Sequence, residues 1–243
     1  MARCLLGDSL GTCLIRAWAG YNLHIWFTGR RALVINHPFK DIVASEDELR
    51  ALVGEPSERA VKKEIDTLDV YARAFIANAP FLLLATSGAD GRCDVSPKGD
   101  APGFVRVLDD HHLVIPDRPG NRRVDGMRNM ITNAHVGLIF MIPGREDTLR
   151  VNGRAWIVRD SDLIATMAVN GKLPQLAIGV QVEECFFHCP KAFRRSSLWQ
   201  HEKWPAPDVV ASFAQMIFDR TKLGGSVEEI QKDLDERLRT SLY

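Results

Sequence analysis

Between residues 81 and 187 the sequence consists of short apolar segments separated by turn-forming residues, and this alternation restricts the chain to few folds. Apolar segments joined through Gly, Pro and Asp are typical of β-strands connected by hairpins. A single helical segment interrupts them and no GxGxxG motif follows any of them, which argues against a doubly wound dinucleotide-binding domain. We therefore predict six or so mostly antiparallel strands in a small, closed or partly closed barrel within an α+β fold, with a β-bulge at Gly153. The apolar segments are residues 81–87, 92–96, 104–108, 112–115, 135–142, 148–158 and 176–187.

Capping patterns predict helices before this region. Ser45 and Glu48 form a capping box, which predicts a short helix that ends near Gly54. A longer helix is predicted from a cap at Ser57 to Asn78, because apolar residues recur along it at spacings of three and four.

The C-terminal part is also predicted to be helical. One helix covers residues 208–221, and a second capping box at residues 226–229 begins a charged helix that runs to the end. We accordingly divide the chain into a barrel domain at residues 39–204 and a helical appendage at residues 205–243.

Residues 1–38 differ from the rest of the chain. Trp and Cys residues are scattered there through Gly-rich sequence that has neither helical nor strand periodicity. Two hypotheses are open: the segment is a poorly patterned extension without structure, or it is a start-site artefact and translation begins downstream, for instance at Val34 or Val43.

Composition restricts the partners and the location of the protein. Lys plus Arg and Asp plus Glu both number 31, so no overall field attracts nucleic acid or an anionic membrane surface. No apolar run reaches the roughly 18 residues that a membrane helix needs. The five cysteines are odd in number, irregularly spaced and preceded by no secretory signal, which indicates free thiols and a cytoplasmic location. We expect a small-molecule substrate, with no nucleic acid and no membrane as partner.

Residues 116–125 place three arginines and an asparagine around a Pro-Gly turn between a predicted strand and a predicted helix. We predict Asn121 as the N-cap of a helix that starts at Arg122, so that backbone N–H groups and guanidinium groups converge on one point. This arrangement is typical of a phosphate site, and solvated arginines on a surface loop are the alternative. Arg122 and Arg123 carry the phosphate prediction, whereas Arg118 is either a third phosphate contact or solvent-facing.

Four segments, in this order, resemble the pyridoxamine 5'-phosphate oxidase-like FMN-binding split-barrel family. They are residues 94–100 (DVSPKGD), 115–123 (IPDRPGNRR), 148–153 (TLRVNG) and 188–199, which begin HCPKA. The likeness covers residues 45 to about 200.

The resemblance implies a six-stranded antiparallel split β-barrel with flanking helices that binds FMN in the cleft of a homodimer. In that family a strand ending in Lys, a strand-loop-helix with a basic pair, and side chains of the partner subunit contact the FMN. The matching cofactor-binding positions of this chain are Val95, Ser96, Pro97, Lys98, Ile115, Pro116, Asn121, Arg122, Arg123, Thr148, Arg150 and Trp199.

The chain departs from the family pattern at several of these positions. Thr148 stands where the oxidase proper has a flavin-contacting Gln, and Asn152 replaces a Glu in the segment that starts at Arg150. The spacing of Trp199 differs from that of the family tryptophan, and the Arg-x-His substrate signature is absent. We therefore do not predict pyridoxamine 5'-phosphate as the substrate.

The resemblance implies an FMN-dependent oxidoreductase that transfers hydride or electrons between FMN and an unknown small molecule. The cofactor carries such chemistry itself, and the sequence identifies no catalytic residue. Alternatives are a non-catalytic flavin-binding or sensing protein, a deazaflavin- or haem-using split-barrel protein, and a neutral adaptor. Cys185, His188 and Cys189 lie close together, but no further Cys pair or His cluster completes a four-ligand site, so we predict no metal.

Overall fold

The computed structural model describes residues 38–243 and, before them, the backbone of four strands. The chain divides into two compact units, residues 1–57 and residues 58–243. No helix in the described part of the chain is long and apolar enough to cross a membrane.

The first unit contains the antiparallel sheet and helix α1 (Glu46–Val53). Its strands pair in the order β1-β2-β3-β4, in a segment where the sequence shows no strand periodicity. The two hypotheses on residues 1–38 stay predictions, and residues 1–3, 7–12, 17–22, 29–30 and 37 lie outside the described residues. The strands are β1 (Cys4–Leu6), β2 (Cys13–Arg16), β3 (Leu23–Thr28) and β4 (Arg31–Asn36).

Only one of the two reciprocal hydrogen bonds of the predicted capping box at α1 is formed. Ser45 Oγ accepts from the backbone N–H of Glu48 at 3.2 Å, and Gly54 ends the helix with φ 74°. The Glu48 carboxylate accepts from the N–H of Ala44 rather than from that of Ser45.

The second unit begins with two helices where the sequence predicted one, so that prediction was wrong. Helix α2 (Glu58–Lys62) and helix α3 (Val70–Asn78) are separated by a segment that pairs with other parts of the fold. Ile65 exchanges two backbone hydrogen bonds with Cys185, at 3.0 and 2.6 Å. These long-range hydrogen bonds replace helical ones between α2 and α3. Asp69 is the N-cap of α3, because its side chain accepts from the N–H of Ala72 at 2.8 Å.

A seven-stranded sheet forms the body of the second unit, in the order β6-β5-β9-β10-β11-β8-β7. All strand pairs are antiparallel, which confirms the α+β fold with flanking helices, but the sheet has seven strands rather than six. The register of β10 against β11 shifts between Asn152 and Gly153, as the predicted bulge requires. The strands are β5 (Phe81–Ser87), β6 (Cys93–Gly99), β7 (Arg106–Val107), β8 (His112–Pro116), β9 (His135–Met141), β10 (Thr148–Val158) and β11 (Ala177–His188).

The sheet has a buried inner face and a half-exposed outer face. Leu82, Leu138 and Phe140 on the inner face are completely buried and belong to the main core. Alternate residues such as Leu83 and Ile139 lie on the outer face, because successive side chains of a strand point to opposite sides.

The sheet curls until two of its strands meet. Five strand spacings separate β6 from β8 in the hydrogen-bonded order, about 24 Å in a flat sheet. Nevertheless Lys98 Nζ, on β6, lies 3.0 Å from Asp117 Oδ1, directly after β8. We call this junction, formed by residues 98–100 and 117–118, the seam.

Five further helices flank the sheet. The capping box at Ser226 and Glu229 is confirmed, with both reciprocal hydrogen bonds formed. The predicted helix at residues 208–221 starts later, because a 3-10 turn at Pro207–Val209 precedes it and Ser212 caps the helix. The helices are α4 (Asp125–Thr132), α5 (Ser161–Ala165), α6 (Lys191–Ser196), α7 (Phe213–Thr221) and α8 (Val227–Thr240).

The described cysteines are all free thiols. Cys93 and Cys189 are exposed and Cys185 is buried, which confirms the prediction for these three. The side chains of Cys4 and Cys13 lie outside the described residues.

Candidate functional site

The basic loop between β8 and α4 differs from its predicted conformation. Helix α4 begins at Asp125 rather than at Arg122, and Asn121 is not its N-cap. Arg122 and Val124 have φ values of 61° and 51°, in the left-handed region, so the helix cannot start before them. Asn121 instead stabilises a turn, because its Oδ1 accepts from the N–H of Arg123 at 3.0 Å.

The three arginines of the loop have different environments. Arg123 Nε lies 2.7 Å from Asp125 Oδ2, with 72% of the Arg123 side chain exposed. Arg122 is exposed and forms no ion pair within the part of the chain that the structure describes. Arg118 is neither solvent-facing nor free for a phosphate, because its Nε donates to Asp100 Oδ2 at 2.6 Å and its side chain is only 15% exposed.

The predicted contacts on β6 divide between the two faces of the sheet. Ser96 and Lys98 pair with the buried residues Leu84 and Leu82, so they lie on the inner face beside the seam. Val95 and Pro97 lie on the outer face.

A hydrogen-bond network connects β5 and β6 with the middle of α4. Asn129 Nδ2 donates to Asp94 Oδ2 at 2.7 Å and to Thr86 Oγ1 at 3.1 Å. The pKa of the Arg123 guanidinium is raised above its ordinary value, first by the hydrogen bond to Asp125 and to a smaller extent by the charge of Asp94. The fold thus brings β6 and the basic loop together.

Ile115 and Pro116 are buried on β8, opposite Ile178 and Ala177 of β11. The Ile115 side chain is part of the main core. These two positions hold β8 against β11, and their contacts with the cofactor stay a prediction.

Thr148 and Arg150 lie on the outer face of β10. In a row of directly paired residues, Arg150 joins Ile139, Leu83 and Pro97 across four strands. Thr148 is only 4% exposed, and its hydroxyl has no hydrogen-bond partner among the described residues.

Arg150 belongs to a polar cluster at the end of β11. Its Nη2 lies 3.6 Å from Glu184 Oε2, and its guanidinium lies 5.1 Å from the centre of the Phe186 ring. Asn152 also hydrogen-bonds the Glu184 carboxylate. Burial, followed by the charges of Arg150 and a nearby lysine, lowers the pKa of His188.

Trp199 lies at the turn that leads into β10. Its Nε1 donates to the backbone oxygen of Arg145 at 2.6 Å, and its ring stacks on Phe193 with 5.7 Å between the ring centres. It therefore belongs with Thr148, which follows that turn.

Two groups of predicted residues result. One comprises the loop at residues 121–123 with Lys98, and the other comprises Thr148, Arg150 and Trp199. Lys98 lies on the inner face of the sheet, whereas Thr148 and Arg150 lie on its outer face, so one chain does not bring the two groups into a single cluster.

Several residues of the site were not found from the sequence. Asp100 was part of a quoted motif without a role, and its pairing with Arg118 would have required knowing that β6 and β8 meet. Asn129 gave no signal, because a polar residue on a short helix is ordinary. In the described part of the chain, no group of three or more His, Cys, Asp or Glu side chains could hold a metal ion.

One protein-family model matches this chain. The family model described as "Pyridoxamine 5'-phosphate oxidase" matches residues 68–189, just over half of the 243 residues. No curated protein matches the chain.

The chain is also similar to solved structures, of which three are described. A variant of HupZ from Group A Streptococcus is 18% identical with a TM-score of 0.41, covering 50% of this chain and 99% of that one. An FMN-binding protein from Syntrophomonas wolfei is 9% identical with a TM-score of 0.38, covering 50% and 91%. HutZ, the haem storage protein from Vibrio cholerae, is 21% identical with a TM-score of 0.37, covering 50% and 93%.

Proposed function

Because the chain belongs to the pyridoxamine 5'-phosphate oxidase family, we propose that it is an FMN-dependent oxidoreductase. FMN, when bound, supplies the hydride and electron chemistry, and the protein binds and orients it. The partner in the reaction is a small molecule of unknown identity, and the cytoplasm is the proposed location. The observation that carries the proposal is the approach of β6 to a loop whose Arg122 has no ion-pair partner among the described residues.

The basic loop supplies the groups that the FMN phosphate requires. Arg122 has no acidic partner among the described residues, so its guanidinium can bind a dianion without losing an ion pair. Arg123 is held by Asp125, but this pair is exposed, and exchanging the carboxylate for a phosphate costs little. Asn121 fixes the turn that carries both arginines.

Other groups suit the remainder of the cofactor. Ser96 lies beside the seam with Lys98, whose ammonium can stabilise the negative charge that a reduced flavin ring accumulates. The buried hydroxyl of Thr148 lacks a partner among the described residues, and burying such a group is unfavourable unless a ligand or water satisfies it.

The proposal includes a homodimer with FMN between the two copies. The separation of Lys98 from Thr148 within one chain supports a site completed by a second copy. The outer face supports it further, because Val95 is 62% exposed and Leu83 and Ile139 are only half-buried. We propose that strands β6, β5, β9, β10, β11 and β8 form the six-stranded split barrel, with β7 as an addition.

The experiment begins with the purified full chain. The cofactor that copurifies is released and identified by absorption spectrum and mass, and FMN is expected. A deazaflavin or haem spectrum would instead support the other members of this fold, and a colourless protein that does not bind added FMN would contradict the proposal.

The phosphate assignment has its own test. The double variant Arg122→Ala, Arg123→Ala is expected to lose FMN binding, measured by quenching of flavin fluorescence. The matched control removes two other exposed arginines, in Arg92→Ala, Arg159→Ala, and should bind as the wild type does. Equal FMN affinity in both double variants would disprove the phosphate site.

Turnover distinguishes an enzyme from a binding protein. Stopped-flow reduction of bound FMN by a nicotinamide donor, followed by reoxidation with a panel of acceptors, is expected to show repeated cycles. Tight FMN binding without reduction by any donor would favour the non-catalytic flavin-binding alternative.

The homodimer is tested by light scattering after gel filtration. Val95→Glu places a charge on the outer face and is expected to give monomers that bind FMN weakly. Val209→Glu, at a position that is 66% exposed outside the sheet, is the control and should stay dimeric. A monomeric wild-type protein would contradict the homodimer.

A further inference from the structure

A buried ion pair fastens the two segments that carry the candidate FMN contacts. Asp100 follows β6 directly and its side chain is 2% exposed, whereas Arg118 follows β8. The Arg118 Nε donates to Asp100 Oδ2 at 2.6 Å, and its Nη1 donates to the backbone oxygen of Met167 at 3.0 Å. Together with the Lys98 to Asp117 pair, this bond makes the seam a double connection.

Tyr243 closes this pair from the far end of the sequence. Its hydroxyl donates to Asp100 Oδ1 at 2.7 Å, and the Arg118 guanidinium lies 5.5 Å from the centre of its ring. Lys172 Nζ donates to the backbone oxygen of Tyr243 at 2.8 Å. The tyrosine is therefore held both by its main chain and by its side chain.

The protonation states fit this arrangement. Burial disfavours the charged form of Asp100, but hydrogen bonds from Tyr243, the Ala101 N–H and Arg118 outweigh it and hold the pKa of Asp100 below its ordinary value. The same hydrogen bond raises the pKa of Tyr243, because the hydroxyl must keep its proton to donate. Asp100 is thus an ionised, buried acceptor that depends on its donors.

We propose that Tyr243 is a positioning residue for the cofactor site, which sets the basic loop through Asp100 and Arg118. The inference rests on the proposed function. Arg118 stands four residues before Arg122, and Asp117, next to it, holds Lys98. A change in the Asp100 carboxylate therefore moves both the phosphate contact and the contact at the flavin ring.

The tyrosine acts by geometry. Without the hydroxyl, Asp100 Oδ1 keeps only the Ala101 N–H, at 2.7 Å, and a buried carboxylate that loses a donor shifts towards other donors or water. Among the described residues Arg118 has one further hydrogen bond, to the backbone oxygen of Met167, so it follows the carboxylate or separates from it. Either change loosens residues 117–123 without touching FMN.

The test compares Tyr243→Phe with Tyr71→Phe in the full chain. Tyr243→Phe keeps the ring and removes only the hydroxyl, whereas Tyr71 lies on α3 and is 70% exposed. We expect the Kd for FMN to rise about 5-fold to 10-fold in Tyr243→Phe, less than for the direct loss of one hydrogen bond to a charged group because the lost bond does not contact FMN, and to stay unchanged in Tyr71→Phe.

A second comparison shows whether the effect passes through the loop. In the Arg122→Ala, Arg123→Ala background, Tyr243→Phe should lower the residual FMN affinity by a smaller factor than it does in the wild type, because only the Lys98 contact is left to disturb. A residue that only stabilises the fold would lower the affinity of both backgrounds equally, and that result would overturn the proposal.

Amide hydrogen exchange of the cofactor-free protein keeps the test independent of FMN. We expect faster exchange in Tyr243→Phe at residues 98–101 and 117–124 and no change in β9 and β10. Unchanged exchange at the seam, or an FMN Kd within twofold of the wild type, would overturn the inference. If the wild type does not bind FMN, the proposed function fails, and the exchange at the seam alone decides whether Tyr243 sets the loop.

Discussion

A methyl group at Gly153 is expected to disrupt the pairing of β10 with β11. Gly153 lies at the bulge, where β10 approaches the neighbouring strand more closely than any side chain permits. A Cβ built there would lie 1.9 Å from the backbone oxygen of Gln181 and 2.9 Å from its carbonyl carbon. Both contacts are backbone atoms, so rotation of a side chain cannot relieve them.

The cost follows from this geometry. The Cβ needs about 1.5 Å more space to reach an ordinary contact, and such a shift takes neighbouring ladder hydrogen bonds beyond their normal range. Losing one or two of these bonds costs about 1 kcal/mol each, and a buried group left unsatisfied costs roughly 1–3 kcal/mol more. We expect Gly153→Ala to lower the free energy of unfolding by about 3 kcal/mol.

The same two strands provide the control. A Cβ at Gly179 would lie 3.5 Å from Val158 Cγ1 and 4.0 Å from the backbone oxygen of Trp156, which are ordinary contacts. Gly179→Ala should be neutral or slightly stabilising, within about 1 kcal/mol, because alanine has fewer unfolded conformations than glycine.

Urea unfolding followed by far-ultraviolet circular dichroism measures both variants against the wild type. A Gly153→Ala protein that unfolds at the wild-type urea concentration would refute the close approach of the strands. Equal destabilisation by the two variants would show that any alanine in this pair is harmful, and the bulge would then not be the cause.

Three further predictions concern charge and pKa. Arg118→Met leaves Asp100 buried without its partner and should cost about 3–5 kcal/mol in urea unfolding, and a change as small as that of an exposed arginine would contradict the buried pair. Cys189 should react with iodoacetamide at pH 8 much faster than Cys185. A hydrogen bond from the Lys191 N–H lowers the pKa of the Cys189 thiol, whereas burial raises the pKa of the Cys185 thiol to about 12. Equal rates of alkylation by mass spectrometry would contradict this. Burial lowers the pKa of His188, so this histidine binds a proton more readily in the unfolded chain than in the folded one, and stability should fall as the pH drops below about 6.5. His188→Asn should remove this part of the pH dependence. A profile of urea midpoint against pH that is the same in the variant and the wild type would argue against this role of His188.

The strands of the seven-stranded sheet could be predicted because each one is a local pattern. Alternation of apolar and polar residues and the turns between the segments are visible in the sequence, and the predicted segments 81–87 and 148–158 coincide with β5 and β10. The prediction of one helix at residues 57–78 was wrong because a long-range contact, and not a local pattern, decides the structure there. The apolar spacing of these residues is helical, but Ile65 finds hydrogen bonds with Cys185 on a distant strand, and no local pattern contains that partner.

The basic loop was predicted in its composition and not in its conformation. Asn next to two arginines favours a helix cap, yet Arg122 and Val124 adopt left-handed backbone angles that the sequence gives no reason to expect, since neither is glycine. The arginines still lie beside β6, because the position of the loop depends on the strands around it. The location of the site therefore stays a prediction, and the error concerns only how its loop is folded.

The charges around this site explain why composition alone could not rank its arginines. Lys98 pairs with Asp117, Arg118 with Asp100, and Arg123 with Asp125, each within 3.0 Å. With Arg122 there are four cations, and with Asp94, whose charge also acts on Arg123, there are four acids, so the local charges nearly cancel. A phosphate dianion binds fully only if it also takes Arg123 from Asp125, the most exposed of the three pairs. The loop is therefore suited to exchange one weak, solvated ion pair for a stronger one, while the buried pair behind it keeps the backbone in place.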